Sequence, residues 1–169
     1  MLIRPLLPED REQALAAHGE LAAEGFDFLL GYDDGDDWDA YLTLLADQEL
    51  GERLGPRQVP HTFRVAVADG ALVGRVSVRH ALTGHLAVIG GHVGYAVRPG
   101  ARRRGHAGRL LRSALDVAAG LGLSEVLVTC DDDNAASIRT IEAAGGLLED
   151  TIDIMPGAAK RRYWIKTRS

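Results

Sequence analysis

The chain has 169 residues, enough for one domain that buries a core without disulfides or metal. Hydrophobic residues make up 46% and charged residues 25%, which is typical of a folded globular protein and excludes a disordered or membrane-embedded one. The net charge of -5 argues against a general nucleic-acid surface, and the single cysteine, Cys130, excludes an internal disulfide and a cysteine-based zinc site.

The first residues do not resemble a targeting segment. After Met1–Pro5 the chain continues with acidic residues rather than an apolar stretch, so we expect neither a signal peptide nor a transmembrane segment. A reducing compartment suits a lone cysteine. We therefore expect a cytoplasmic protein.

The first half of the chain predicts two helices and a hairpin. Apolar residues three or four apart predict a helix from Pro8 to about Ala23 and a second one around Trp38–Leu45. His61–Val67 and Ala71–Val78 then predict two strands, because they alternate in part and the turn signal Asp69-Gly70 separates them.

Strands and helices alternate in the second half. Val93–Val97 predicts a strand that ends at Pro99-Gly100, Ala107–Ala118 predicts the longest helix, and Glu125–Cys130 predicts a further strand. The remaining predicted elements are a helix from Asn134 to Gly145-Gly146 and final strands at Leu147–Ile154 and Tyr163–Thr167. This order indicates an α+β domain with a mixed central sheet.

The stretch from Val93 to Gly108 carries the clearest functional signal. Its strand, Pro/Gly turn and small-residue loop lead into an amphipathic helix, and the amides at a helix start form an anion site with the helix dipole. Gly105, Ala107 and Gly108 would let a phosphate approach those amides. Neither a Rossmann nor a Walker fingerprint occurs in this stretch.

The spacing Arg102-x-x-Gly105-x-Ala107 resembles the R/Q-x-x-G-x-G/A signature of the GNAT superfamily of acyl-CoA N-acyltransferases. In that superfamily the signature follows a strand ending in Val-x-Pro, here Val97-Arg98-Pro99. A strand and an Asn-led helix come next, and here that helix opens at Asn134.

The resemblance extends well over Phe63–Thr167 and loosely before Pro60, and Gly90–Tyr95 looks like an uncharacterised bacterial acetyltransferase subgroup. It implies a three-layer α+β fold. The implied sheet is mixed and mostly antiparallel, splays between two cofactor strands, and carries helices on both faces. We expect one N-acyltransferase domain over residues 1–169, with a helical acceptor-side region at 1–60 and a CoA-binding core at 61–169.

The resemblance also implies where acetyl-CoA, the expected cosubstrate, would bind without any metal. The strand edge Tyr95, Ala96 and Val97 would pair with the pantetheine arm, and an amide near Val97 would polarise the thioester. Asn134 would reach the cofactor from the other side, and it is also a good N-cap. The loop residues expected around the pyrophosphate are Arg102, which would brace the loop, and Arg103, Arg104, Gly105, His106, Ala107 and Gly108.

Attack on a thioester requires a neutral amine, so a proton acceptor is needed, and a histidine is suited to this role near neutral pH. His92, at the start of the cofactor strand, is the candidate base. The alternative for His92 is a half-buried strand histidine bonded to backbone. Glu125 and Asp131 are further candidates for the base. The other histidines considered are His80, His85 and His106.

Many superfamily members carry a tyrosine seven residues after the asparagine, and here that position is Ile141. The departing thiolate would then face an aliphatic side chain. Its proton would come from water or from another tyrosine, and Tyr163 is the candidate acid. Cys130 has no evident base partner in sequence, so a buried thiol is favoured over an acyl-enzyme.

The predicted function is transfer of an acetyl group from acetyl-CoA to a primary amine by direct attack on the thioester. One alternative is an acyl-CoA-binding module of the same fold that has lost catalysis, and another is an anion-binding nucleotide protein. Expected partners are acetyl-CoA and an amine that the sequence does not identify, with neither nucleic acid nor membrane. A homodimer is left open.

Overall fold

The chain folds around a seven-stranded sheet, which a computed structural model describes for residues 1–167. The strands are β1 (Leu2–Arg4), β2 (His61–Ala68), β3 (Ala71–Arg79), β4 (Val93–Val97), β5 (Glu125–Asp131), β6 (Leu147–Met155) and β7 (Ala158–Lys166). Their order in the sheet is β1-β2-β3-β4-β5-β7-β6. All neighbours are antiparallel except β4 and β5, which are parallel. This confirms the mixed, mostly antiparallel sheet.

Helices pack on both faces of this sheet. They are α1 (Arg11–Ala22), α2 (Trp38–Glu49), α3 (Gly84–Val88), α4 (His106–Gly120) and α5 (Ala135–Ala143). Within residues 1–167 no helix is long and apolar enough to cross a membrane. α4 buries one apolar stripe, formed by Leu110, Leu111, Ala114 and Ala118, against the sheet.

Side chains along a strand alternate between the two faces, so the sheet separates two cores. One core contains Val76 and Val78 of β3 together with the buried residues of α4 and α5. The other contains Leu72 of β3 together with the buried apolar residues of α1 and α2, because a β-bulge between Leu72 and Gly74 shifts the alternation of β3 at this end. The three layers expected from the resemblance are therefore present.

Three features of the fold were not predicted. β1 has only three residues and pairs with β2, so residues 1–60 contribute a strand as well as helices. α3 has five residues, too few for a periodic pattern. β7 begins at Ala158 instead of Tyr163, because pairing with both β5 and β6 makes a strand of the charged stretch Lys160–Arg162.

Candidate active site

The parallel strands β4 and β5 pair only where β4 begins. Val93 and Val128 form the one register pair between these strands, and the His92 N–H donates to the Leu127 carbonyl oxygen at 2.7 Å. Beyond this point the two strands diverge and leave a gap. The expected splay between the cofactor strands is therefore present.

The backbone of β4 offers a free edge toward this gap. The Arg98 N–H donates to the Val73 carbonyl of β3 at 2.9 Å, and alternate residues of a strand point their amides to opposite sides. The amides of Tyr95 and Val97 therefore point away from β3. An extended ligand arm in the gap could form hydrogen bonds with this edge.

A groove of about 1430 Å³ runs along that edge to the start of α4. Pockets for drug-sized ligands typically have volumes of about 300 to 1,000 Å³. The larger volume of this groove suits a long, extended ligand. It is lined by all the residues predicted to bind the cofactor, namely Tyr95, Ala96, Val97, Arg102, Arg103, Arg104, Gly105, His106, Ala107, Gly108 and Asn134. The sequence did not predict that Glu24, Gly25 and Phe26 would line it as well.

At one end of the groove the chain turns into α4 through Gly105. This residue is the N-cap of α4 in a left-handed conformation, with φ of 77°, and open space lies where a Cβ would be. Because glycine has no side chain to cap the helix, the first amides of α4 must be satisfied from outside. Arg102 braces the turn, since its Nε donates to the Val97 carbonyl at 3.2 Å and its guanidinium pairs with Glu24.

Two further residues beside the groove offer polar atoms. The Asn134 Oδ1 accepts a hydrogen bond from the Ser137 amide at 3.0 Å, so Asn134 caps α5 while lining the groove. The Nδ1 of His106 is buried without a hydrogen-bond partner among residues 1–167. Asn134 therefore acts as the N-cap of α5, as the sequence suggested, and this role is compatible with contact to a ligand.

The model of the acetyltransferase (GNAT) family matches residues 25–145, which is most of the chain. The chain belongs to this family. It is accordingly an acetyl-CoA-dependent N-acetyltransferase, and acetyl-CoA is its cosubstrate. No curated protein matches the sequence.

Solved structures share the fold of this GNAT enzyme. A candidate acetyltransferase of Salmonella typhimurium with its cofactor acetyl-CoA has 19% identity and a TM-score of 0.64, covering 99% of this chain and 94% of that one. A ribosomal-protein-alanine N-acetyltransferase of Brucella melitensis has 18% identity and a TM-score of 0.67, covering 98% and 99%. A spermidine N-acetyltransferase chimera of Vibrio cholerae has 17% identity and a TM-score of 0.64, covering 99% and 97%. The acceptors named for these enzymes differ, so the fold does not identify an acceptor.

In this GNAT enzyme His92 is a buried residue that directly precedes β4. Its Nδ1 accepts a hydrogen bond from the Leu127 N–H at 2.9 Å, and burial, followed by the nearby Arg79 guanidinium, lowers the pKa of His92. A neutral ring whose Nδ1 is an acceptor carries its hydrogen on Nε2, so it cannot take a proton without losing that bond. The geometry thus favours the alternative interpretation of His92, a histidine bonded to the backbone, over a general base.

We expect His92→Ala to lower the free energy of unfolding by about 1–3 kcal/mol, because it leaves the Leu127 N–H buried without an acceptor. His92→Asn is the matched control, since the Asn Oδ1 can occupy the position of Nδ1.

The same histidine makes stability depend on pH. Because the pKa of His92 is lower in the folded protein than in the unfolded chain, the unfolded chain binds the proton at a higher pH. The free energy of unfolding therefore falls as the pH drops below about 6.5. Urea denaturation between pH 5 and 8 measures both effects, and His92→Asn should weaken the pH dependence. A loss of turnover in both variants at wild-type stability would instead identify His92 as the base.

The other candidates for the base lie in different places. Glu125 is the first residue of β5, whereas the groove meets the last residue of that strand, Asp131. Asp131 forms an ion pair with Lys160. His80 shares a hydrogen bond with Thr62 at 3.0 Å, and His85 lies on α3.

Ile141 is fully buried in the core and does not line the groove, so the structure gives no support to the expectation that it faces the thiolate. Tyr163, the candidate acid, is also fully buried, and its hydroxyl donates a hydrogen bond to Glu142 at 3.2 Å. Neither Tyr163 nor Glu142 lines the groove. Cys130 is buried as favoured, and burial raises the pKa of its thiol.

Sequence reasoning missed a polar contact in the gap. The Tyr95 hydroxyl and the Ser137 Oγ are 2.8 Å apart, and both residues line the groove. The sequence predicts only a backbone role for Tyr95. The alternation of β4 and the helical spacing after Asn134 place each residue locally, but only the packing of α5 against the sheet brings the two side chains together.

Proposed function

We propose that this GNAT enzyme transfers the acetyl group directly from acetyl-CoA to a primary amine, without an acyl-enzyme. The groove carries the proposal, because it joins a helix start capped only by glycine to the free edge of β4. Direct transfer is supported by Cys130, whose thiol is buried and has a raised pKa, so it is a poor nucleophile.

The residues of the groove fit the cosubstrate. The amides at the start of α4 would hold the pyrophosphate, with the space that Gly105 leaves open allowing close approach. The amides of Tyr95 and Val97 would pair with the pantetheine arm. His106 and Asn134 would add polar contacts. Once bound, acetyl-CoA supplies the activated acetyl group.

The acceptor would approach from the sheet face that carries α1 and α2. Glu24, Gly25 and Phe26, which follow α1, line the groove beside Ala96. Ala96 itself packs on the core under α1 and α2, whereas Tyr95 packs on the opposite core. Residues 1–60 would accordingly form much of the acceptor side.

Release of free CoA thiol in the presence of a panel of amines tests this function. The acceptors named for the structural relatives suggest spermidine and peptides with an N-terminal alanine, and free amino acids extend the panel. We expect thiol release that depends on the amine and a product whose mass is increased by one acetyl group. Acetyl-CoA binding without thiol release for any amine would favour the non-catalytic acyl-CoA-binding module.

We also place the enzyme in the cytoplasm. A buried free cysteine is compatible with a reducing compartment. Fractionation of the source cells tests the location, and sedimentation of the purified protein tests whether it is a monomer or a homodimer.

A further inference from the structure

The Tyr95 hydroxyl bridges the gap between the two cofactor strands. Tyr95 is in the middle of β4, and its ring packs with the core on the α4 and α5 side. Its hydroxyl reaches Ser137 in the first turn of α5, which follows β5. The Ser137 amide is fixed by Asn134, so the serine that holds the hydroxyl has a defined position.

This position lies along the expected path of the cosubstrate. An arm that starts at Gly105 and follows β4 passes Val97 and then Tyr95 before it reaches the convergence of β4 and β5 at Val93. The acceptor side is the other face of the sheet. A donor on the α5 side would therefore meet the leaving group while the amine approaches from the opposite side.

We propose that Tyr95, held by Ser137, donates the proton to the departing thiolate of CoA. The proposal rests on the proposed occupation of this groove by acetyl-CoA. Ile141 and Tyr163 are fully buried outside the groove, whereas the Tyr95 side chain is half-buried within it. Burial raises the pKa of Tyr95, so the hydroxyl carries its proton at neutral pH and can donate a hydrogen bond to the departing sulfur.

In this step the amine nitrogen bonds to the acetyl carbon, and the carbon–sulfur bond breaks with its electron pair on sulfur. The Tyr95 hydroxyl gives its proton to sulfur, so CoA leaves as a neutral thiol. The phenolate regains a proton from groove water through the Ser137 hydroxyl. The surplus proton of the acetylated nitrogen passes to solvent, which balances the reaction.

The first test uses CoA and needs no acceptor. The pKa of the bound CoA thiol is measured from the ultraviolet absorbance of the thiolate in complexes with the wild type, Tyr95→Phe and Ser137→Ala. A hydroxyl that donates to sulfur stabilises the thiolate, so we expect Tyr95→Phe to raise the thiol pKa with little change in acetyl-CoA affinity. Ser137→Ala should raise it less, and Ser137→Thr should restore the wild-type value.

The second test is turnover with the most reactive amine of the panel. Loss of a general acid typically lowers the rate by about 10² to 10⁴, so kcat should fall by roughly that factor in Tyr95→Phe while KM for acetyl-CoA stays within about threefold. An unchanged thiol pKa and an unchanged kcat, with acetyl-CoA binding intact, would overturn the proposal. So would a fall in kcat for Tyr163→Phe but not for Tyr95→Phe. Failure of the wild type to bind acetyl-CoA would instead contradict the proposed function.

Discussion

Gly105→Glu should abolish acetyl-CoA binding and turnover together. The substitution places a carboxylate at the helix start where the pyrophosphate would approach, and Gly105 has a φ of 77° that a side chain rarely adopts. Like charges in contact cost several kcal/mol and each 1.4 kcal/mol is tenfold in affinity, so Kd should rise about 100-fold or more. A ligand at 100 times its Kd stabilises by about 2.7 kcal/mol, so the wild type should gain roughly 5–10 °C in Tm. Thermal-shift measurement should show no such gain for Gly105→Glu.

Gly122→Glu is the matched control for this experiment. Gly122 follows the other end of α4, has a φ of 80°, and also has open space where a Cβ would be. It therefore reproduces the backbone strain and the added charge far from the pyrophosphate. Gly105→Ala separates the strain from the charge. If Gly105→Glu still gained the wild-type shift in Tm, the helix start would not be the pyrophosphate site.

Gly91→Ala should be the most damaging small substitution near the gap. Gly91 has a φ of 59°, and an added Cβ would collide with the Leu127 carbonyl of β5. Relief of the collision must push the start of β4 away from β5, where His92 exchanges two hydrogen bonds with Leu127. The left-handed conformation and the two lost bonds together predict a loss of roughly 3–6 kcal/mol in the free energy of unfolding. Urea denaturation measures this loss as a fall in the midpoint at constant slope.

Gly31→Ala separates the collision from the backbone strain. Gly31 also has a positive φ, 71°, close to that of Gly91, but no atom lies within 4 Å of an added Cβ. It should therefore cost clearly less than Gly91→Ala. Equal losses in the two variants would show that strain alone accounts for the effect and that the close approach of β4 to β5 is not required.

The prediction of the cofactor groove came from local sequence. The strand that ends at Val97, the turn at Pro99 and the helix start at Gly105 are consecutive, so their spacing alone places a strand edge next to a set of helix amides. Family resemblance then named the ligand. Every predicted lining residue depends on this short segment or on the cap of the next helix, Asn134, which is why all of them lie in one groove.

The roles of individual side chains depended on longer-range packing. His92 precedes the cofactor strand, as the sequence indicated, but pairing with β5 occupies its Nδ1. Ile141 occupies the position of the expected tyrosine, but the docking of α5 turns it into the core. The orientation of a side chain depends on which elements pack around it, and residues far apart in sequence determine that packing.

The sequence by itself determined the α+β class, most of the strands and helices, and the loop for acetyl-CoA, because each follows from local periodicity or from a contiguous motif. Only the tertiary structure decided that Glu24, Gly25 and Phe26 close the groove and that Tyr95 meets Ser137. The Tyr95 and Ser137 side chains are brought together across 42 positions of the chain by the order of strands and the seating of α5. No local pattern encodes such a contact, because it exists only when hydrophobic burial has fixed both elements against the same core.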